Sequence, residues 1–138
     1  MDDDLDRFVR AQDPVYETVL RELRGGRKET HWMWFVFPQL RGLGRSEMAR
    51  FYGIASLHEA HVYLVHPVLG SRLRECATIV AASPATSATA IFGGTDAQKL
   101  RSSMTLFHRA GPDEPVFLRV LEKHYGGAPD PRTDELLA

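Results

Sequence analysis

The segment Lys99-Leu100-Arg101-Ser102-Ser103-Met104-Thr105 sets an ammonium and two serine hydroxyls along an apolar helical stripe. Leu100, Met104 and Phe107 fall at i, i+4 and i+7, the spacing of a buried helix face. Ser103 lies beside that stripe, and Lys99 sits one turn back on the same flank. An ammonium and a hydroxyl at the edge of a buried face can hold a phosphate or pyrophosphate. Lys99 can also act as a nucleophile where burial leaves it a free amine. In the structural alternative, Ser103 lets two helices approach closely while Lys99 reaches past them to water.

The second concentration of chemistry is His31-Trp32-Met33-Trp34-Phe35-Val36-Phe37-Pro38-Gln39-Leu40, which contains both tryptophans of the chain and no charged residue. Trp32 and Trp34 can form a stacking wall for a base or nicotinamide-like ring, with His31 and Gln39 offering hydrogen bonds at either end. They can equally be core, since aromatic residues dominate core energetics. So dense an aromatic run cannot lie open on a soluble domain without causing association. It must be buried or line a pocket. Directly after it, Arg41-Gly42-Leu43-Gly44-Arg45 brackets two flexible residues with arginines, a loop able to present an anion to the next helix N-terminus.

Other chemistries find less support. No phosphate-binding P-loop or dinucleotide glycine fingerprint is present. His58 and His61 stand three apart with His66 following, but no acidic or cysteine partner has metal-site spacing, so no metal is expected. No cofactor is implied either. Cys76 is the single cysteine and falls on an apolar stripe, which suits inert packing in a reducing compartment. Lys plus Arg total 17 against 18 Asp plus Glu, a balance that argues against binding nucleic acid by phosphate neutralisation. The acidic start Met1-Asp2-Asp3-Asp4 is the opposite of a signal peptide, and no apolar run approaches the roughly 20 residues of a membrane span. A cytoplasmic protein is expected.

Positioning these residues falls to helices. A chain of 138 residues with 43% hydrophobic and 25% charged residues is expected to form one domain, residues 1–138, with a core that needs no staples. Leu5, Phe8, Val9 and Gln12 share a helical face, and the three leading aspartates suit its N-terminus. Asp13-Pro14 then reads as a cap and first position that restart the helix, and Gly25-Gly26 stops it. Residues 32 to 37 are all apolar, so periodicity cannot separate strand from helix. With no second strand to pair with, the reading is a short buried helix ended by Pro38. Ser46 caps a short helix with Met48, Phe51 and Tyr52 as its apolar residues. Ser56-Leu57-His58-Glu59 fits a capping box, with Leu57, Ala60 and Leu64 inward. Pro67 opens a helix striped by Leu69, Leu73, Cys76 and Val80. Ser87 is a cap, Ile91-Phe92 an apolar anchor, and Thr95 caps the helix that carries Lys99. Asp113 or Glu114 starts the last long helix, with Phe117, Leu121 and Tyr125 inward. The tail has room for one turn at Asp134-Glu135-Leu136-Leu137. The expectation is an all-α fold of eight or nine short helices packed around the central aromatic segment.

The run from His31 to Leu40, followed by Gly42-Leu43-Gly44, resembles the hallmark of a bacterial all-helical domain-of-unknown-function family, some of whose members carry the misleading label calpastatin. Arg7-Phe8-Val9-Arg10-Ala11-Gln12, His66-Pro67-Val68-Leu69-Gly70, Ile91-Phe92-Gly93 and Lys99 through Phe107 resemble it too, so the likeness spans nearly the whole chain. It implies a fold and no established reaction. A more distant likeness to the NADAR superfamily, linked to NAD and ADP-ribose metabolism, implies a ligand site at a Ser-x-Glu-type helix start with a lysine. Arg45-Ser46-Glu47-Met48 matches that start only in part, because Ser and Glu are adjacent and no lysine follows closely.

These readings converge on a binder or hydrolase of an ADP-ribose- or NAD-type nucleotide. Lys99, Glu47 and His31 are the candidates for the chemistry, and Trp32, Trp34, Gln39, Arg41, Ser46, Ser102 and Ser103 those for binding. The alternatives are a non-catalytic protein- or peptide-interaction module, favoured by a long shallow apolar groove, or a small-molecule sensor.

Overall fold

The computed structural model describes residues 5–138, which form ten helices and no strand beyond one isolated bridge. In chain order these are α1 (Asp6–Gln12), α2 (Tyr16–Arg24), α3 (Met33–Val36), α4 (Glu47–Phe51), α5 (Leu57–Val65), α6 (Leu69–Ala82), α7 (Ala88–Phe92), α8 (Gly94–Ala110), α9 (Pro115–Tyr125) and α10 (Pro131–Leu137). The expected role of Asp2 to Asp4 at a helix start lies outside the described residues. None of the described helices is long and apolar enough to cross a membrane.

α8 is the axis, and its stripe seals Leu100, Met104 and Phe107 completely. α5, α7, α9 and α10 pack on it, and α6 joins α5 to α9. Leu69, Leu73, Cys76 and Val80 are buried as their spacing requires. Burial pushes the Cys76 thiol up to about 12, so it stays a neutral packing group. At the α5–α6 corner, His66 Nδ1 accepts hydrogen bonds from the N–H groups of Val68 and Leu69. A Cβ on Gly70 would sit 2.1 Å from the Leu64 carbonyl oxygen. Alanine normally favours a helix over glycine by about 1 kcal/mol. Gly70→Ala should instead lose about 1–3 kcal/mol to overpacking, read as a lowered Tm.

The aromatic run forms α3, a single buried turn pinned from both sides. Gln12 of α1 donates its amide N–H to the Phe35 carbonyl at 2.6 Å, capping an otherwise unpaired acceptor. Glu22 of α2 takes four hydrogen bonds: from Glu29 N–H at 2.8 Å, Thr30 N–H at 3.1 Å, the Thr30 hydroxyl at 2.7 Å and the Trp32 indole at 2.9 Å. Burial pushes the Glu22 carboxyl up, but these bonds together outweigh it and hold the group at about 2, against an ordinary 4.5. A depressed carboxyl contributes stability above its unfolded value that is lost as pH falls towards the folded one. Stability should therefore decline between about pH 4.5 and pH 2. Glu22→Gln should lower stability at pH 7 and flatten that decline in urea titrations across the window.

Several expected details change. α2 begins at Tyr16, because Asp13 continues the turn of α1 with φ −50° and ψ −50°, and its carboxylate pairs with Arg72 at 2.8 Å. Thr95 does not cap α8; Gly93, with φ 79°, holds that position and Thr95 lies exposed in the first turn. Leu57 faces outward rather than inward, and Met48 and Phe51, apolar residues of α4, are exposed too, Phe51 at 57%. The tail forms two turns instead of one, since Asp130 caps α10.

Candidate functional site

One face of α8 presents Thr95, Gln98, Lys99 and Ser102, at i, i+3, i+4 and i+7, to a cleft of about 370 Å³. Gln39, Leu43 and Gly44, from the chain after α3, supply a second wall, and Asp130 and Arg132 also line the cleft. The wall is held by a short parallel bridge: Arg41 N–H donates to Ile54 O at 2.8 Å and Ile54 N–H to Gln39 O at 3.0 Å. A Cβ on Gly44 would meet Ala49 Cβ at 2.6 Å and Gln39 Nε2 at 3.3 Å, so only glycine lets the loop sit this close.

Lys99 Nζ rests 4.8 Å from the centre of the Trp34 ring and 3.6 Å from Asp96. Asp96 also binds Lys28 at 2.8 Å, and Lys28 lies over Trp32 at 5.1 Å. One carboxylate thus ties both tryptophans' cations to the start of α8. Both contacts of Lys99 are those of an ammonium, which favours holding an anion over nucleophilic attack. Trp34 is half-buried and can offer an edge to a ligand; Trp32 is 1% exposed and belongs to the core.

Asp130 is the residue that sequence reasoning missed. It is 3% exposed, yet the residue lines the cleft. Oδ2 accepts from Ser102 Oγ at 3.0 Å, Thr133 Oγ1 at 2.6 Å and Thr133 N–H at 3.2 Å. Among the described residues, Oδ1 has only a long bond from Gln98 at 3.3 Å. Thr105 Oγ1 accepts from Asp130 N–H at 2.8 Å and fixes the backbone. A buried carboxylate with one oxygen saturated and the other lightly held can take a ligand hydroxyl. The signal was present: Asp130-Pro131 is a cap followed by a proline at the first helical position.

Among the expected site residues, Lys99, Ser102 and Gln39 line one cleft with Trp34 beneath Lys99. Ser103 does not reach it; its hydroxyl is fully buried and finds no partner among the described residues, which fits close helix packing. His31 is exposed and does not line the cleft. Ser46 is spent on its cap, accepting from Ala49 N–H at 3.1 Å. Glu47 lines a separate hollow with Met48, Arg50 and Phe51. Arg41 donates to Gly53 O at 3.1 Å and borders other hollows. No group of three or more metal-ligating side chains occurs among the described residues.

The family model described as "Protein of unknown function (DUF1810)" matches residues 2–137. The chain belongs to this family. It is 57% identical to the conserved hypothetical protein Rv1873 of Mycobacterium tuberculosis, whose crystal structure it matches with a TM-score of 0.95 over 97% of this chain and 96% of that one. No curated protein matches it. Membership of this family and the shared helical fold leave the chemistry to be argued from the cleft itself.

Proposed function

We propose that the protein binds an ADP-ribose- or NAD-type nucleotide in the α8 cleft. The observation that carries this reading is the pairing of two cations, Lys99 and Arg132, with the buried acceptor Asp130 in one hollow. A phosphate suits the cations and the positive N-terminal end of the 17-residue α8. A ribose hydroxyl suits Asp130 Oδ1, and the Trp34–Lys99 edge offers a surface for a flat ring. The volume lies at the lower end of small-molecule sites, so part of the nucleotide would extend beyond the cleft. Hydrolysis would require a carboxylate to orient water, and Asp130 is the carboxylate lining the cleft.

Ligand at one hundred times its dissociation constant should stabilise the fold by about 2.7 kcal/mol, a rise in Tm of several degrees. Lys99→Ala should stay folded and lose most of that shift. Chromatography of the incubated nucleotide separates binder from hydrolase. An unchanged Tm with ADP-ribose and NAD, or a shift undiminished in Lys99→Ala, contradicts the reading.

A further inference from the structure

On α4, none of the five residues is buried, although the helix carries Met48 and Phe51. A helix this short has no stability of its own. Ser46 caps it, and the Tyr52 ring behind it packs on Phe8 and Phe35. Met48 and Phe51, three apart, share the outer side at 39% and 57% exposure and border a hollow of about 490 Å³ with Glu47 and Arg50. Phe51 also borders a smaller hollow with Arg7, Arg41 and Arg50. Arg41 in turn reaches a third hollow, where Leu57 and Leu136 lie 41% and 48% exposed. The first two hollows share Arg50 and Phe51, and the last two share Arg41.

Three guanidiniums are gathered there, of which Arg7 is ion-paired with Glu59 at 3.9 Å. Arg7 and Arg41 each donate an Nη2 N–H to the Gly53 carbonyl at 3.1 Å, so two guanidiniums share one oxygen. Arg41 and Arg50 form no ion pair among the described residues. Of the carboxylates on these elements, Asp6 pairs with Arg10, Glu59 lies 3.9 Å from Arg7, and Glu47 borders the apolar hollow. Arg41 and Arg50 border one hollow, and their guanidiniums can attract an incoming carboxylate. Arginine, methionine and aromatic residues are also the types enriched where proteins bind each other.

We propose that the α4 face docks an acidic segment of a partner protein, in which an apolar side chain covering Phe51 and Met48 sits beside carboxylates that meet Arg41 and Arg50. This reading is independent of the nucleotide cleft. Its test is selection of phage-displayed random twelve-residue peptides on the full chain, followed by fluorescence anisotropy of a selected peptide. The expected winners combine Asp or Glu with Leu, Phe, Trp or Met. Phe51→Ser and Arg50→Glu should each weaken the peptide at least tenfold, and Lys99→Ala should leave it unchanged. Both changed side chains are exposed, and circular dichroism checks that the variants keep their helix content. No enrichment, enrichment of basic or uncharged peptides, or affinity retained in both variants overturns the proposal. A dimer in sedimentation velocity that Phe51→Ser dissolves overturns it too, because it assigns the face to a second copy.

Discussion

Trp32→Ala should lower the unfolding free energy by about 3–5 kcal/mol, a large part of the stability of a domain this size. The indole is sealed at 1% exposure, touches Phe37 and Phe92, and donates to Glu22. Removing it opens a cavity and leaves Glu22 with one donor fewer. Trp34→Ala, two residues away, should cost only about 1 kcal/mol, the scale of a surface cation–π contact, because its ring is half-buried under Lys99. Urea denaturation of the two variants checks the contrast. Equal losses would mean that the tryptophans share one environment, against the division into core and cleft edge described above.

Asp130→Ala should be the other large loss, on the order of 3 kcal/mol. The side chain caps α10 through Thr133 N–H and is the acceptor for Ser102 and Thr133 Oγ1. A lost cap costs about 1 kcal/mol, and the Thr133 hydroxyl left without its acceptor costs about 1–3 kcal/mol, whereas Ser102 keeps the Gln98 carbonyl at 3.2 Å. Asp130→Asn keeps the cap and one acceptor oxygen, so it should recover part of that stability. It should not recover nucleotide affinity, because the group facing the ligand hydroxyl is then no longer a carboxylate. Calorimetry of the two variants separates the structural effect from the binding effect. Full stability in Asp130→Ala would remove Asp130 from its place as the pin between α8 and α10.

The helices were legible where apolar residues repeat with helical period and a cap precedes them. Leu69 to Val80, Leu100 to Phe107 and the caps Ser46, Ser56 and Ser87 are of this kind. The errors share a cause: a local pattern has two outcomes, and tertiary partners choose. Asp followed by Pro occurs at Asp13 and at Asp130. At Asp13 the carboxylate is taken by Arg72 and the chain keeps turning with α1. At Asp130 the carboxylate finds Ser102 and Thr133 and starts a helix. Nothing within either segment distinguishes them.

The same holds for the cleft. Lys99 and Ser102 were visible because they edge an apolar stripe, and Gln39 because it ends the aromatic run. Their meeting depends on Lys28 and Asp96 joining α8 to the segment ahead of α3, and on the bridge at Ile54. Asp130 and Arg132 come from the tail, whose few apolar residues gave no periodicity to read. Trp32 and Trp34 could not be told apart in sequence; the Glu22 acceptor, ten residues upstream of Trp32, makes the difference.

The cleft is tested most directly by a titration of ¹⁵N-labelled protein with ADP-ribose, followed by amide chemical shifts. The predicted result is a contiguous set of saturable shifts at Gly44, Thr95, Lys99, Ser102 and Arg132, with the Trp34 indole moving and the sealed Trp32 indole still. Shifts confined to α4 and its arginines, or no saturable shift at all, would contradict a nucleotide site in the α8 cleft.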